Sequence, residues 1–283
     1  MILGIIHNRI GWEEKQLIEA AKKKKVDVSL FDSRRMSIDV TGDKSLYNVD
    51  LFLQRSISYT KGLYSTLALE AMGYQVVNSS KCQEVCGDKL KTTIALKQAG
   101  LPVPKTYLAL SYNAALEALE ELGYPAITKP LMGSWGRLVA ILNDPASARA
   151  ILETRETLGD VLHKIYYLQE YVNHNSRDVR VFIVGGEAVA AMYRYTIPGD
   201  WRSNATIGGK TEACRITGEI EEMALKAAEA THSEIVGVDL LEGDGIFLLN
   251  EVNHNPGFQH IASVTKVDIA EKIIDYLKHK ASK

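Results

Sequence analysis

The chain lacks most of the features that assign a protein at a glance. It has three cysteines in 283 residues, Cys82, Cys86 and Cys214. The spacing of Cys82 and Cys86 suits one helix face, but no second Cys or His pair stands nearby to complete a zinc site. Reduced thiols are the expectation, and no disulfide is read from them. No apolar run approaches the ~20 residues that a membrane-spanning helix needs. The opening Met1-Ile-Leu-Gly-Ile-Ile6 is too short and lacks the basic start of a secretory signal, so a cytoplasmic protein is expected. A formal net charge of -2 gives no overall push toward nucleic acid or a membrane surface, and neither is expected as a partner. Internal repeats and low-complexity linkers are missing too.

What is present reads as an ordinary globular protein, 46% hydrophobic and 24% charged, long enough for a large core in two or three subdomains. Residues 1–85 alternate strand and helix. Ile2–Ile6, Val26–Phe31, Asp50–Gln54 and Gln75–Val77 read as strands. Trp12–Lys24 and Lys61–Met72 read as helices. This pattern predicts an open α/β domain with a parallel sheet. Its first strand-to-helix turn, His7-Asn-Arg-Ile-Gly11, is not G-x-G-x-x-G, which argues against bound NAD. Further on, Lys89–Ala99, Tyr112–Leu122, Ala146–Leu158, Glu219–Thr231 and Val267–His279 read as helices. Thr106–Leu110, Ala126–Lys129, Val139–Leu142 and Ile165–Val172 read as strands. Val179–Val184 and Ala188–Tyr195 form a hairpin across Gly185-Gly186.

Four clusters carry chemistry. A second hairpin, Ile235–Leu241 and Ile246–Leu249, places Asp239 inside a strand, an unusual position for a charge. Glu251 and Asn253 lie two apart at the end of its second arm and share a face. Three such oxygen donors suit Mg²⁺, which accepts few protein ligands and leaves room for phosphate. Alone, Glu-Val-Asn at a strand end is most simply a solvated edge. Gly133-Ser-Trp-Gly136-Arg137 follows a strand ending in Lys129. Its glycines let backbone N–H groups approach phosphate, although a plain turn would look the same, and it is not a G-x-x-x-x-G-K-[ST] loop. A lysine at the inner end of an apolar strand wants a buried anion. Gln169-Glu-Tyr-Val172 is an extended junction whose backbone could meet an adenine edge. Asp178 and Arg180 share a strand face, and Arg194 ends the partner strand, able to hold a carboxylate or neutralise a transferring phosphoryl group.

Taken in order, these clusters resemble a known family. They are Lys89 before a helix ending in Gly-Leu-Pro-Val-Pro104, Lys129 with Gly133–Arg137, Gln169–Val172, Asp178-Val-Arg-Val-Phe-Ile-Val-Gly-Gly186, Ala191-Met-Tyr-Arg194, Asn204, Gly237-Val-Asp239 and Asn250-Glu-Val-Asn253. The chain is similar to the RimK-like ATP-grasp ligases of the ribosomal-S6-modifying type. The resemblance implies an α/β (α+β) ATP-grasp architecture. A pre-ATP-grasp domain would span 1–85, a central subdomain 86–168, and a C-terminal subdomain with the metal site 169–283. It implies ATP and two Mg²⁺ ions held by Asp239, Glu251 and Asn253, with Glu251 bridging. Lys89, Lys129, Gly133, Ser134, Trp135, Gly136 and Arg137 would hold phosphates. Gln169, Glu170, Tyr171 and Val172 would hold adenine, while Asp178 and Arg180 line the nucleotide or transfer site. Arg194 and Lys129 would be catalytic.

Within that group the loop Trp201-Arg-Ser-Asn-Ala205 and the run Asn253-His-Asn-Pro-Gly-Phe258 resemble the LysX/ArgX ligases. Those enzymes attach an amino acid to the C-terminal glutamate of a small acidic carrier protein, LysW, through an acyl phosphate. On that resemblance Arg194, Asn204 and Ala205 contact the amino acid, and Gly257 and Phe258 shape the pocket for its side chain. The Gly-Phe pair is similar to the arginine-branch form, ArgX, which takes L-glutamate. The alternatives are the lysine branch, which takes 2-aminoadipate, and a glutamate ligase acting on another acceptor. A nucleotide-binding module without turnover is disfavoured because the motif residues are intact. A homo-oligomer is expected, as is a basic face for the carrier that draws on Arg34, Arg35 or Arg202.

Overall fold

In a computed structural model, residues 1–42, 46–133, 136–174, 176–197, 199–200, 209–243 and 245–282 are described. The chain starts with β1 (Ile2–His7), α1 (Trp12–Lys23), β2 (Asp27–Asp32), β3 (Leu51–Gln54), α2 (Tyr59–Ala71) and β4 (Val76–Val77). The strands are parallel in the order β2-β1-β3-β4. β1 is apolar from Ile2 to Ile6 because both its faces are covered. Leu3 and Ile5 join one core, and Ile6 joins another with Phe52, Leu69 and Tyr74. α1 buries Leu17, Ala20 and Ala21 as its periodicity predicts. Glu13 and Glu14 lie in its first turn and Lys22 and Lys23 in its last, each favoured by the helix dipole.

α3 (Ser80–Cys86) and α4 (Lys89–Gln98) lead into a second sheet built of β5 (Thr106–Ala109), β6 (Ala126–Lys129), β7 (Ala140–Leu142) and β8 (Tyr166–Glu170). It is antiparallel, ordered β5-β8-β6-β7. α5 (Tyr112–Leu122) and α6 (Pro145–Leu158) close its core around Leu119, Leu142, Leu152 and Leu168. α4 packs elsewhere. Its Leu96, with Leu101 just beyond, lies in the core of the third sheet.

That third sheet is antiparallel and ordered β11-β10-β9-β12-β13. It comprises β9 (Arg177–Val184), β10 (Glu187–Tyr195), β11 (Thr211–Ala213), β12 (Ile235–Gly243) and β13 (Ile246–Asn253), with α7 (Gly218–Ala230), α8 (Gln259–Thr265) and α9 (Ile269–Ala281). One face, through Val179, Val181, Val236 and Leu240, packs on α7 and α4. The lower half of the other face, through Phe182, Val184, Met192 and Ile235, packs on α8, α9 and the first domain. Its upper half carries the charged residues. The sequence reading found the long elements and passed over α3, β11 and α8, which are too short to show a period.

Candidate active site

The charged half-face is set by strand register. Arg194 on β10 lies opposite Asp178 on β9, Arg180 on β9 opposite Asp239 on β12, and Asp239 opposite Glu251 on β13. Paired residues in a sheet point to the same side, so all five share one face. Arg194 grips Asp178 bidentately, with Nε–Oδ1 at 2.7 Å and Nη2–Oδ2 at 2.6 Å. Arg180 grips Asp239 in the same way, at 2.5 and 2.6 Å. Arg194 also lies 3.1 Å from Asp239 Oδ2, joining the two pairs into a ladder. Asp178, Arg194 and Asp239 are almost fully buried. Despite burial, the two guanidiniums hold the Asp239 carboxyl below its ordinary range.

Between Asp239 and Leu240 the β12–β13 register slips, so Leu240 pairs with Leu249 and Asn250 is skipped. Such bulges re-aim side chains. Asn250 Oδ1 accepts a 2.9 Å hydrogen bond from Lys129 Nζ, across from the second sheet. No role was read for Asn250 from the sequence, and only the bulge would have signalled it.

Lys129 also donates to Gln169 Oε1 at 2.7 Å. Burial pushes its ammonium down to about 8; Glu251 and Asp239 pull it up, and Lys89 pushes it down. An anion placed there would relieve the desolvation. Lys89 opens α4 beneath the Asp88 cap, and Asp88 Oδ1 accepts from Leu90 N and Lys91 N. Lys89 N donates to Leu131 O at 2.9 Å and its Nζ to Gly133 O at 3.0 Å, while Nζ stands 3.4 Å from Glu251 Oε1. One lysine thus ties the stem of the glycine loop to the acidic strand. Gly133 and Gly136 have positive φ, 158° and 66°, consistent with a backbone-led loop. Ser134 and Trp135 lie outside the described residues, as do Asn204, Ala205 and Arg202. Arg137 is described and engaged in contacts of its own.

Gln169 is buried, and its amide is used up by the protein: Oε1 accepts from Lys129, and Nε2 donates to Thr106 Oγ1 at 3.1 Å and Tyr167 OH at 3.0 Å. Its side chain braces Lys129. The Glu170 carboxylate accepts from Lys105 N at 2.7 Å. The strand ends there, Tyr171 and Val172 follow as irregular backbone, and Val172 is 9% exposed. Val172 packs against Gly243, where a Cβ would sit 2.7 Å from its Cγ1.

Phe258 is enclosed as well. It is 1% exposed, edge-on to Trp12 at 5.6 Å and to Phe182 at 6.0 Å between ring centroids. It is a core residue, and it fixes the backbone of Gly257. That glycine is exposed, and a Cβ on it would meet Glu13 Oε1 at 3.2 Å. Phe258→Ala is therefore expected to cost about 3–5 kcal/mol of folding stability, read from urea unfolding with an unchanged slope.

The first domain clamps this stretch. Arg55 Nη1 donates to Pro256 O at 3.2 Å and Nε to Glu14 Oε1 at 3.2 Å. Asn255 donates to Ser56 O at 2.9 Å, and Asn78 donates to His254 O at 2.7 Å. Burial, and then the Arg55 charge, hold His254 down to about 4. An unfolded histidine protonates near 6.5, so between about 6.5 and 4 only the unfolded chain carries that proton. Stability from this residue is full above the window and falls by up to ~3 kcal/mol as pH drops through it. Urea midpoints at pH 7 and pH 5 should differ more for the native chain than for His254→Gln.

Asp239, Glu251 and Asn253 meet as expected. Asn253 Nδ2 lies 3.3 Å from Asp239 Oδ2, leaving its carbonyl oxygen to face elsewhere. Each carboxylate oxygen accepts twice, so Oδ1 of Asp239, taken once by Arg180, keeps a lone pair. Glu251 keeps its Oε2. Two carboxylates and an amide cannot cage a cation alone, and among the described residues no cluster of three or more His, Cys, Asp or Glu side chains could hold a metal. The set fits a hard divalent ion that brings further oxygen ligands with it, as Mg²⁺ on phosphates does.

Comparison with known proteins identifies the family. Residues 86–277 match the RimK-like ATP-grasp domain, and residues 3–85 match the LysX preATP-grasp domain. The chain is 35% identical to the glutamate–LysW ligase ArgX of Sulfurisphaera tokodaii over 100% of both chains. It is 34% identical to the alpha-aminoadipate–LysW ligase LysX of Saccharolobus solfataricus, over 93% of this chain and 96% of that one. Its fold superposes on a RimK domain ATP-grasp protein from Sphaerobacter thermophilus with a TM-score of 0.79 at 20% identity, covering 98% of this chain and 100% of that one. The chain belongs to the RimK-like ATP-grasp family, and it is a ligase. Its full-length relatives place it in the LysX/ArgX group of that family.

Proposed function

We propose that the enzyme uses ATP to join the amino group of L-glutamate to the side-chain carboxylate of the C-terminal glutamate of a LysW-type carrier protein, in arginine biosynthesis. The observation that carries the chemistry is the meeting of Lys89 and Lys129 with Asp239, Glu251 and Asn253 across two sheets. Both sides of a phosphoryl transfer are then charge-matched. Lys89, Lys129 and the Gly133–Arg137 loop hold the phosphates. Asp239, Glu251 and Asn253 would hold Mg²⁺, two ions on this reading, which would screen phosphate charge. Arg194, oriented by Asp178, faces the reacting carboxyl. The irregular backbone at Tyr171 and Val172 receives adenine. ATP phosphorylates the carrier carboxylate, the amine attacks the acyl phosphate, and phosphate leaves. The protein's work is positioning, charge neutralisation and exclusion of water.

A second reading keeps the chemistry and takes 2-aminoadipate, as the name of the Saccharolobus relative states for that protein. One methylene is worth about 1–3 kcal/mol. ADP release, with carrier mass read in parallel, tests both readings with either amino acid. A glutamate-sized gain supports the arginine-branch reading. A gain with aminoadipate alone replaces it. No gain with either turns the search to other acceptors.

A further inference from the structure

Behind the glycine loop, on the side of the second sheet away from the acidic strand, lies a cavity of about 260 Å³. Its walls include Pro130, Leu138 and Ala140, on the two stems of the loop, and Ile151, Thr154 and Arg155 on α6. Leu138, on that wall, is 69% exposed. Arg155 is the anomaly. It is half-buried, and among the described residues no carboxylate pairs with it. Its three hydrogen bonds go to neutral acceptors: Nε to His163 O at 3.1 Å, Nη1 to Thr128 Oγ1 at 2.6 Å and Nη2 to Ile165 O at 3.3 Å. Tyr166 lies under the guanidinium, 5.3 Å from its ring centroid. A guanidinium carries five N–H donors, so one on Nη1 and one on Nη2 stay unused for an acceptor in the cavity that Arg155 lines.

We propose that this cavity binds a small monocarboxylate with an apolar body, its carboxylate on Arg155 and its body against Ile151, Leu138 and Ala140, and that occupancy shifts the glycine loop. The coupling is direct. Thr128, the neutral partner of Arg155, precedes Lys129 on β6, and the ligand would touch both loop stems. Lys89 holds the same loop from the far side through Gly133 O. The ligand class follows from the walls. A dianion would leave one charge against apolar surface, and an uncharged ligand would leave the guanidinium uncompensated.

Hexanoate, 3-phenylpropanoate and the neutral 3-phenylpropanamide serve as probes with the full-length enzyme. Calorimetry and the methyl resonances of Leu138, Ala140 and Ile151 report binding. This arm does not depend on which amine or carrier the enzyme uses. Both carboxylates should bind saturably and the amide at least about tenfold more weakly. Thr154→Trp, at the exposed rim, should fill the cavity and abolish probe binding, and Arg155→Met should remove the preference for the carboxylate. The kinetic arm rests on the ATP-grasp reading: a saturating carboxylate should change the KM for ATP at least about threefold in the native enzyme and not in Thr154→Trp. No binding by about 10 mM, equal binding of the amide, or native-like binding by Thr154→Trp overturns the site. Binding that leaves the KM for ATP unchanged overturns the coupling.

Discussion

Asp239→Asn should lower ligation by a factor of about 10²–10³ or more, because it removes a charge from the face where phosphate is transferred. The loss should fall on kcat/KM for ATP and should not be recovered at high Mg²⁺. The structure adds a second effect. Asp239 is the anion between Arg180 and Arg194, and Arg180 has it as a bidentate partner. Breaking a buried pair by removing one partner commonly costs 3–5 kcal/mol, and the amide, which keeps one acceptor, should cost less than Asp239→Ala. The two effects separate by measuring turnover well below the unfolding temperature of the variant. Turnover within tenfold of the native enzyme there would reject the metal assignment for Asp239.

Lys129→Met gives the contrasting case, activity lost with little stability lost. Its ammonium sits at about 8 because burial disfavours the charge, against an ordinary 10.5. A lysine held below its unfolded value weakens the fold at neutral pH, and stability should rise by up to ~3 kcal/mol as pH climbs from about 8 to 10.5. Replacing it with methionine removes that rise. It also strips Gln169 and Asn250 of a donor, which costs about 1–3 kcal/mol per unsatisfied group. The opposing effects leave a small net change at pH 7, while ligation should fall about 10²–10³-fold. Unfolding midpoints from pH 7 to pH 10 check the first claim and initial rates the second. A variant as active as the native enzyme would remove Lys129 from the phosphate site.

The β12–β13 hairpin was legible before any coordinates because alternation along a strand is local. Asp239, Glu251 and Asn253 could be placed on one face from their spacing. Asn250 could not, since the bulge that turns it toward Lys129 depends on pairing with another strand. Gln169 showed the same limit. Its position at the strand end was read correctly, but its bonds to Lys129, Thr106 and Tyr167 come from three separate strands. The burial of Phe258 was hidden for a related reason, because its contacts with Trp12 and Phe182 join residues far apart in the chain. Long-range partners set what a side chain does, while spacing along the chain sets only which way it points.

The largest apolar core joins Leu3, Ile5, Leu17 and Leu53 near the start of the chain to Phe182, Phe258, Ile273 and Leu277 near its end. During synthesis the first domain therefore leaves the ribosome with this side of its sheet covered only in part, by α1. It must wait for α8 and α9 before the rest of that surface is covered. Long-range closure of this kind slows folding and leaves a sticky intermediate. A fragment ending near residue 85 would keep that apolar surface half-covered permanently. Expression strategies that truncate the C-terminal helices, or place bulky fusions against α9, should yield aggregated material.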